Sequence, residues 1–265
     1  MKPSRRKLEE LLWIAGLHGP MRSIYAATVG RQAATAQARM AEFYRKLLPP
    51  NALVFDVGAN MGVFSAAFAS VGARVVALEP NSDCVRHIQL SFSEMDVQVI
   101  QAAAGTRDGL AVLNVSDAWD VTSSMSTEWM LAIQERDERY RGNWSRKSVV
   151  PMLTLDTLVE QFGVPDFVKI DVEGFEEEVL KGLSTQPRLL SFEFHSAFLP
   201  AALRCLESSL FSEESTFNLV SNPPWGYPEH FDSEAWLTRD EVRKRLAGPT
   251  LIDNQGDIFV RAPAR

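Results

Sequence analysis

Side chains that could accept a proton follow two apolar runs in the second half of the chain. Asp171 and Glu173 lie in the segment VKIDVEG, and Glu193 and His195 lie in the segment SFEFHS. The two groups of each pair are two positions apart, so they point in the same direction if the strand continues through them. A carboxylate or an imidazole at the end of a strand can act as a general base near neutral pH. Asp171, Glu193 and His195 are therefore the candidate catalytic residues, with Asp171 favoured as the base.

The same residues also have other interpretations. Glu173 and Gly174 could open the helix FEEEVLKG, because acidic side chains interact favourably with the positive end of a helix. The glutamates at 176–178 are expected on the solvated face of that helix. His195 could equally be a packed or surface histidine. Oxygen and imidazole ligands suit several metals, so a divalent ion such as Mg²⁺ is an open alternative for the set Asp171, Glu173, Glu193 and His195.

A second set of residues points to a ligand held against the main chain. The segment VFDVGANMGVFS places Gly58 and Gly62 between an apolar strand and the next helix. Glycine permits close backbone approach, and a helix N-terminus offers unpaired N–H groups. Glu79 ends the following strand, about 20 residues after Gly58, where an acid commonly binds ribose hydroxyls. The ligand is therefore expected to contain a nucleoside.

The glycine spacing separates two kinds of nucleoside cofactor. A dinucleotide fingerprint reads G-x-G-x-x-G, but Asn60 and Val63 occupy its second and third glycine positions here. This disfavours the pyrophosphate of a nicotinamide cofactor, although an oxidoreductase remains an alternative function. Asp56 instead gives the pattern D-x-G-x-x-x-G, which is typical of S-adenosylmethionine-dependent methyltransferases. Asp56 could otherwise cap the turn that follows it.

The order of the apolar and helical segments predicts an α/β fold. LVFDVG and RVVALEP read as buried strands around a helix, and strands at VQVIQAAA, FVKID and LLSFEF alternate with further helices. This alternation predicts a parallel sheet with helices on both faces. TFNLVSN and GDIFVRA would add an antiparallel edge. Residues 1–50 are predicted to form an N-terminal helical extension, and residues 51–265 a single domain with an insertion at about 116–150.

Composition and charge restrict the class of partner. The chain has 265 residues, 46% of them hydrophobic, and a formal net charge of −7. Phosphate backbones are bound mainly through lysine and arginine, so nucleic acid is not an expected partner. Cys84 and Cys205 have no neighbours at metal-ligand or redox spacing and are expected to be buried free thiols. The N-terminus is expected to form a short amphipathic helix rather than a secretion signal. No apolar run is long enough to span a membrane, so a cytoplasmic location is predicted.

Several segments together resemble one known family. VFDVGANMGVFS, VVALEPN, QAAAG, LTLDTLVEQFG and FVKIDVEGFEEEVLKG follow one another within about residues 51–195. In order and spacing they resemble the FkbM family of methyltransferases. The resemblance implies the class I methyltransferase (Rossmann-like) fold with a mostly parallel seven-stranded sheet. It also implies S-adenosyl-L-methionine as the cofactor and a hydroxyl of a small molecule, such as a sugar or glycosylated natural product, as the acceptor.

The resemblance also assigns residues to parts of the cofactor. The residues of the glycine turn would surround the methionine portion, Glu79 would hold the ribose, and Ala103 would flank the adenine. Ser123 and Ser124 would lie near the cofactor or the acceptor. The implied cofactor-binding residues are Asp56, Gly58, Asn60, Gly62, Glu79, Pro80, Ala103, Ser124 and Asp171.

Two aromatic-rich segments are candidates for the acceptor pocket. The loop SNPPWGYPEHFDSEAW is rich in aromatic residues, which suit the apolar side of a sugar or an aromatic acceptor but could equally pin the loop to the core. Trp129, Tyr140 and Trp144 in the insertion have the same two interpretations. A non-catalytic nucleoside-binding module of the same fold is a further alternative function. The sequence does not define the oligomeric state.

Overall fold

The computed structural model describes residues 34–115, 123–136, 144–221, 227–248 and 255–263. The predicted N-terminal amphipathic helix, Tyr140 and Trp225 lie outside these ranges. The described strands are β1 (Leu53–Val57), β2 (Arg74–Leu78), β3 (Val97–Ile100), β4 (Ala103–Ala104), β5 (Gly109–Val115), β6 (Arg146–Leu153), β7 (Phe167–Ile170), β8 (Leu189–His195), β9 (Thr216–Ser221) and β10 (Gln255–Arg261). The described helices are α1 (34–45), α2 (Val63–Ser70), α3 (Ser82–Ser91), α4 (Thr127–Arg136), α5 (Leu155–Phe162), α6 (Glu176–Lys181), α7 (Leu199–Leu206) and α8 (Arg239–Leu246).

The main sheet has seven strands in the order β3-β2-β1-β7-β8-β10-β9. β1 pairs in parallel with β2 on one side and with β7 on the other, and β7 pairs in parallel with β8. β10 runs antiparallel to β8 and to the outermost strand, β9. The prediction of a mostly parallel sheet with an antiparallel edge is confirmed. The strand order reverses between β1 and β7, and in such sheets a ligand binds at the carboxyl ends of the strands at this point.

Helices cover both faces of this sheet because its strands are apolar on both sides. On one face, α5, α6, α7 and α8 pack around Phe192 and its neighbours. On the other face, α1 and α2 pack against Phe167 and Phe259. Asp56 and Lys169 lie on this second face, because Asp56 follows Val54 by two residues and Lys169 follows Phe167 by two. Val54 and Phe167 both pack on that face, and side chains two apart in a strand share a face. Both are buried, with 1% of their surface exposed, so the second face contains charged groups close to the strand ends.

A second sheet contains segments that the sequence pattern did not identify. In it β6 pairs in parallel with β4 and antiparallel with β5. The prediction of one continuous strand at VQVIQAAA was therefore wrong: β3 ends at Ile100, and Ala103–Ala104 pair with β6 instead. β5 reads GLAVLNV, an almost continuous apolar run, although Leu110 and Val112 on it are exposed. It therefore lacks the period of two that is the main sequence signal for a half-buried strand. The predicted insertion runs from the end of β5 into β6.

Aromatic packing ties α1 to the main sheet. Met40 and Tyr44 have no exposed surface. The ring of Tyr44 meets that of Phe68 edge to face, with centroids 4.6 Å apart, and Phe43 makes a similar contact with Phe231 at 5.0 Å. This part of the N-terminal extension belongs to the core of the sheet, and the domain boundary at residue 50 stays a prediction.

Cys84 and Cys205 are buried and free, as predicted. Neither has a disulfide partner, and burial raises the pKa of the Cys84 thiol to about 12. Both thiols therefore act as small apolar side chains in the core.

Among the described helices, none is long and apolar enough to cross a membrane.

Tyr44→Phe is expected to leave the free energy of unfolding unchanged or to raise it by up to about 1 kcal/mol. Tyr44 Oη is buried and has no hydrogen-bond partner among the described residues, and an unpaired buried hydroxyl costs about 1–3 kcal/mol. Tyr44→Ala also removes the ring and should cost about 3–5 kcal/mol. Chemical denaturation of the three proteins measures both effects. A loss above about 1 kcal/mol in the phenylalanine variant would mean that the hydroxyl forms a stabilising hydrogen bond.

Candidate active site

The turn between β1 and α2 depends on residues in left-handed conformations. Gly58 has φ +83° and Asn60 has φ +50°. A Cβ at Gly58 would lie 1.8 Å from the carbonyl oxygen of Asp171, so glycine is required for β1 to approach the end of β7. The Gly58 N–H donates to the carbonyl of Leu78 at 2.9 Å. The carboxyl ends of β1, β2 and β7 therefore meet at this turn.

Two predicted cofactor residues, Asp56 and Gly62, are not part of the cavity wall. Asp56 accepts a hydrogen bond from Ser65 Oγ at 2.5 Å, and this bond links β1 to α2. Burial raises the pKa of Asp56, and the nearby Lys169 ammonium opposes the rise. A Cβ at Gly62 would meet Ile88 at 2.8 Å, so close packing against α3 explains this glycine. Of the four residues expected to surround the methionine portion, Gly58 and Asn60 line the cavity.

Glu79 is placed at the end of β2 with both carboxylate oxygens directed by backbone donors. Oε2 accepts from the N–H of Asn60 and Oε1 from the N–H of Asn81, each at 2.8 Å. Burial raises the pKa of Glu79 to about 7, although the two N–H groups oppose this rise. An ionised carboxylate has about four acceptor positions, so two remain for hydroxyl donors. Glu79 can therefore bind the two hydroxyls of a ribose without losing its backbone partners.

A cavity opens beside Glu79 and contains most of the predicted cofactor residues. Small and apolar side chains from β4, β5 and the segment before α4 form one part of its wall, as expected for a pocket that holds a flat base. Carboxylates from the end of β7 form another part. The predicted residues in the wall are Gly58, Asn60, Glu79, Pro80, Ala103, Ser123 and Asp171, and the others are Leu78, Ala102, Ala104, Leu113, Met125, Val172 and Glu173.

Ser124 is a further predicted cofactor residue, and the structure places it behind the wall. It is 1% exposed, and its hydroxyl donates to the carbonyl of Glu173 at 2.7 Å. The same Oγ accepts from the N–H of Ser126 at 2.9 Å. Glu173 has φ +55°, a conformation that non-glycine residues adopt only where their surroundings hold them. Ser124 therefore supports the backbone of Glu173.

Three carboxylates converge at the ends of β7 and β8. Asp171, Glu173 and Glu193 each place one oxygen within 4.8 Å of the other two, and all three side chains are half-buried. Burial raises the pKa of Glu173 well above its ordinary value, and Asp171 and Glu176 raise it further. Burial, Asp171 and Glu173 likewise raise the pKa of Glu193. These two glutamates therefore hold a proton more readily than exposed glutamates do.

Glu176 orders the loop that carries these carboxylates. Its Oε1 accepts from the N–H of Val172 at 3.1 Å and from the N–H of Gly174 at 3.2 Å. Glu176 is 5% exposed, so the expectation of a solvated face was wrong for this residue. It is Glu176, not Glu173, that accepts hydrogen bonds from the turn leading into α6. Glu173 is left in the cavity wall.

A family comparison decides how this site is interpreted. The family model described as "Methyltransferase FkbM domain" matches residues 56–214. The chain belongs to the FkbM methyltransferase family. The matched residues begin at the glycine turn and include Glu79, Asp171, Glu173 and Glu193. The predicted resemblance is therefore confirmed, and the cavity lies within the FkbM domain.

Curated relatives match parts of the chain. It is 30% identical over 167 residues to the AMB antimetabolite synthetase AmbE of Pseudomonas aeruginosa, a match to 52% of this chain and 8% of that protein. It is 29% identical over 176 residues to the hexuronic acid methyltransferase AglP of Haloferax volcanii, with 63% and 66% covered. The methyltransferase sdnD of Sordaria araneosa is 28% identical over 165 residues, with 52% and 63% covered. The chain thus spans less than two thirds of the length of each relative.

Among solved structures, the chain is similar to a precorrin-6y C5,15-methyltransferase from Geobacter metallireducens. The identity is 13% and the TM-score 0.42, with 87% of each chain covered. A putative O-methyltransferase from Klebsiella pneumoniae gives 10% identity and a TM-score of 0.42, with 88% of this chain and 81% of that chain covered.

A second, smaller cavity adjoins the carboxylate cluster of the FkbM domain. It has a volume of about 10 Å³, close to the space of one water molecule, and Glu193, His195 and Trp129 are among its lining residues. His195 Nδ1 accepts the N–H of Ala197 at 3.0 Å, so this nitrogen already caps the turn after β8. If His195 acted as a base through Nδ1, it would lose this bond. The structure therefore favours Glu193 over His195 as a proton acceptor.

The Mg²⁺ alternative depends on the same carboxylates. His195 is not part of the group whose ligand atoms come together among the described residues. Asp171 Oδ2 is already paired with Lys169 Nζ at 2.6 Å. Mg²⁺ needs free oxygens in near-octahedral positions, so a carboxylate engaged by an ammonium is a poor ligand. Asp171 could therefore offer a metal only its other oxygen, beside the carboxylates of Glu173 and Glu193.

The aromatic loop after β9 packs on the sheet. Phe231 meets Trp236 with ring centroids 5.3 Å apart and Phe259 with centroids 5.1 Å apart. Trp236 also stacks against Arg261, at 3.7 Å. Of the two interpretations, the described aromatic residues of this loop fit the one in which they pin it to the core. Trp129 differs, because it lines the small cavity together with Glu193.

Two charged residues of this site were missed by the sequence interpretation. Lys169 carried an available signal, since a lysine inside the apolar run FVKI must have a partner if the strand is buried. Glu176 carried no clear signal, because it is one of three consecutive glutamates and their sequence does not indicate which of them is buried.

Proposed function

We propose that this FkbM domain transfers the methyl group of S-adenosyl-L-methionine to a hydroxyl oxygen of a small molecule. A sugar or a glycosylated metabolite is the favoured acceptor class. The observation that carries the proposal is one cavity whose wall contains both Glu79 and two of the three clustered carboxylates, Asp171 and Glu173. Glu79 is suited to bind a ribose, and Asp171 and Glu173 are suited to bind a reacting hydroxyl.

The cofactor fits the residues of the cavity. The free acceptor positions of Glu79 suit the ribose, and the small residues Ala102 and Ala103 leave room for the adenine. Gly58 and Asn60 line another part of the cavity, and Gly58 has only main-chain atoms to offer there. When bound, S-adenosylmethionine supplies an electrophilic methyl group. Asp171 and Glu173 in the same wall would complement the positive charge of the bound cofactor.

The protein's own part of the reaction is to position a hydroxyl and accept its proton. A well-oriented acceptor can lower the barrier by about 7–11 kcal/mol, and a placed base adds about 10²–10⁴-fold. Glu193 is the base we propose, because one of its carboxylate oxygens lies within 4.8 Å of oxygens of Asp171 and Glu173 in the cavity wall. Burial and the neighbouring carboxylates also raise its pKa. Asp171 would accept a hydrogen bond from the same hydroxyl and orient it.

The alternative functions use the same pocket. Asn60 and Val63 in the glycine turn still disfavour a dinucleotide, and membership of a methyltransferase family gives the oxidoreductase no support. A non-catalytic binding module would keep Glu79 and the cavity, but it would not need three converging carboxylates with positive charge beneath them.

The cofactor is tested by calorimetry with S-adenosylmethionine and S-adenosylhomocysteine. Hydrogen bonds to a charged group contribute about 1.5–3 kcal/mol each, so the loss of two in Glu79→Ala should weaken binding about a hundredfold or more. Glu94→Ala, at an exposed position of the same half of the chain, is the control and should bind like the wild type.

The wild-type result decides the cofactor, and the variants decide the site. Binding of neither compound by the wild type would remove the proposal, and NADH titration would then test the oxidoreductase. Binding that survives in Glu79→Ala would place the cofactor elsewhere. Transfer of an isotopically labelled methyl group to a panel of hexoses, uronates and glycosides then tests the acceptor class.

A further inference from the structure

Lys169 is a charged residue in the middle of the main sheet. It lies on β7, and its register neighbours are Asp56 on β1 and Ser191 on β8. Its side chain is 1% exposed, and it is not among the lining residues of either cavity at the site. A lysine in this position cannot contact the ligand directly, so any role in the reaction must pass through another residue.

The ammonium of Lys169 is held close to one oxygen of Asp171. Nζ lies 2.6 Å from Asp171 Oδ2 and 4.1 Å from the ring centroid of Phe64. Burial would lower the pKa of Lys169, but the carboxylates of Asp171, Asp257 and Asp56 raise it above its ordinary value. The side chain is therefore a permanent cation, and the short contact fixes Asp171 in one orientation.

Further polar groups are buried in the same part of the core as Lys169. The hydroxyls of Tyr44 and Ser191 and Oδ1 of Asp257 are buried, and none of the three has a hydrogen-bond partner among the described residues. The three carboxylates around the ammonium carry more negative charge than it neutralises. Asp171 is the one of them that lines the cofactor cavity, with 27% of its side chain exposed.

We infer that Lys169 is a positioning residue of the methyl-transfer site. Its ammonium takes Oδ2 of Asp171 and so leaves the other oxygen for the cavity, where the cofactor and the acceptor hydroxyl meet. This inference rests on the proposed function. A lysine that served folding alone would stabilise the sheet without changing what Asp171 does in the cavity.

A double-mutant cycle on S-adenosylmethionine binding separates these roles. The variants are Lys169→Met, Asp171→Asn and the double variant, with Lys181→Met as a matched control at an exposed lysine of α6. If Lys169 acts through Asp171, each single change should weaken binding about tenfold, and the double variant should bind no worse than Asp171→Asn alone. Lys181→Met should bind normally.

Unfolding measurements guard against a misfolded variant. Lys169→Met leaves buried carboxylates without their cation and should be strongly destabilised. The double variant removes one of those charges, so its melting temperature should exceed that of Lys169→Met. Binding is then compared at a temperature where the wild type and all the variants are folded. If Lys169→Met does not fold, the double variant is compared with Asp171→Asn instead.

The outcomes distinguish this inference from the proposed function. If the wild type binds S-adenosylmethionine and the double variant binds it as well as Asp171→Asn does, the positioning role and the proposed function are both supported. Additive losses, or normal binding by Lys169→Met, would overturn the positioning role and leave the proposed function in place. If Lys169→Met is unfolded, a double variant that binds much worse than Asp171→Asn would also overturn it. If the wild type binds no cofactor, the proposed function fails and this inference fails with it.

Discussion

Gly58→Ala is expected to lower the free energy of unfolding by about 4 kcal/mol or more, at the severe end of single substitutions. A Cβ there would lie 1.8 Å from the carbonyl oxygen and 2.7 Å from the carbonyl carbon of Asp171. Both are backbone atoms, so no side-chain rotation can relieve the contact. The end of β1 would have to separate from the end of β7, and the cavity between them would open. Denaturant titration measures the loss, and cofactor titration of any folded fraction should show no binding.

Gly72→Ala is the matched control. Gly72 has φ +88°, close to the +83° of Gly58, but a Cβ there would meet nothing within 4 Å. The left-handed conformation alone costs an alanine about 1–2 kcal/mol, so this variant should lose that amount and bind cofactor normally. Equal losses in the two variants would mean that φ, not the contact with Asp171, makes Gly58 necessary.

The order of the main elements could be read from the sequence, because buried parallel strands leave continuous apolar runs. β1, β2, β7 and β8 were all predicted on that basis, and they are the strands whose ends carry the site. β5 and β6 were not predicted, since they form a small sheet with one exposed face and no regular apolar alternation. Part of the cavity wall, including Leu113 of β5, therefore lay outside what the pattern could show.

The site itself was predictable in its residue types but not in its contacts. Asp171, Glu173 and Glu193 follow apolar runs, and strand ends of a parallel sheet share one edge, so their convergence followed from the pattern. The pattern did not show that Glu176, rather than Glu173, accepts the hydrogen bonds from the turn leading into α6. That arrangement goes with the φ of +55° at Glu173, and a backbone angle of this kind has no signal in a single sequence. The same holds for Asp56 and Ser124, whose hydrogen bonds turn them away from the cavity.

Glu193→Gln is expected to reduce the turnover number of methyl transfer by about 10²–10⁴-fold. The amide keeps the size of the side chain and cannot accept the proton of the acceptor hydroxyl. Glu193 lines the small cavity and not the cofactor cavity, so the affinity for S-adenosylhomocysteine should stay within about threefold of the wild type. Glu178→Gln, on the surface of α6 beside Lys181, is the control for the loss of one carboxylate and should retain full turnover.

The pH dependence gives a second, independent measure of the same role. Burial and the neighbouring carboxylates raise the pKa of both Glu173 and Glu193, so the base is protonated in acid and gains activity as pH rises. Wild-type turnover should therefore increase with pH through a range above the ordinary titration of glutamate, with an apparent pKa that belongs to the pair. Glu193→Gln should lose this increase along with its rate. A variant that kept both the rate and the pH profile would exclude Glu193 as the base and return the role to Glu173 or His195.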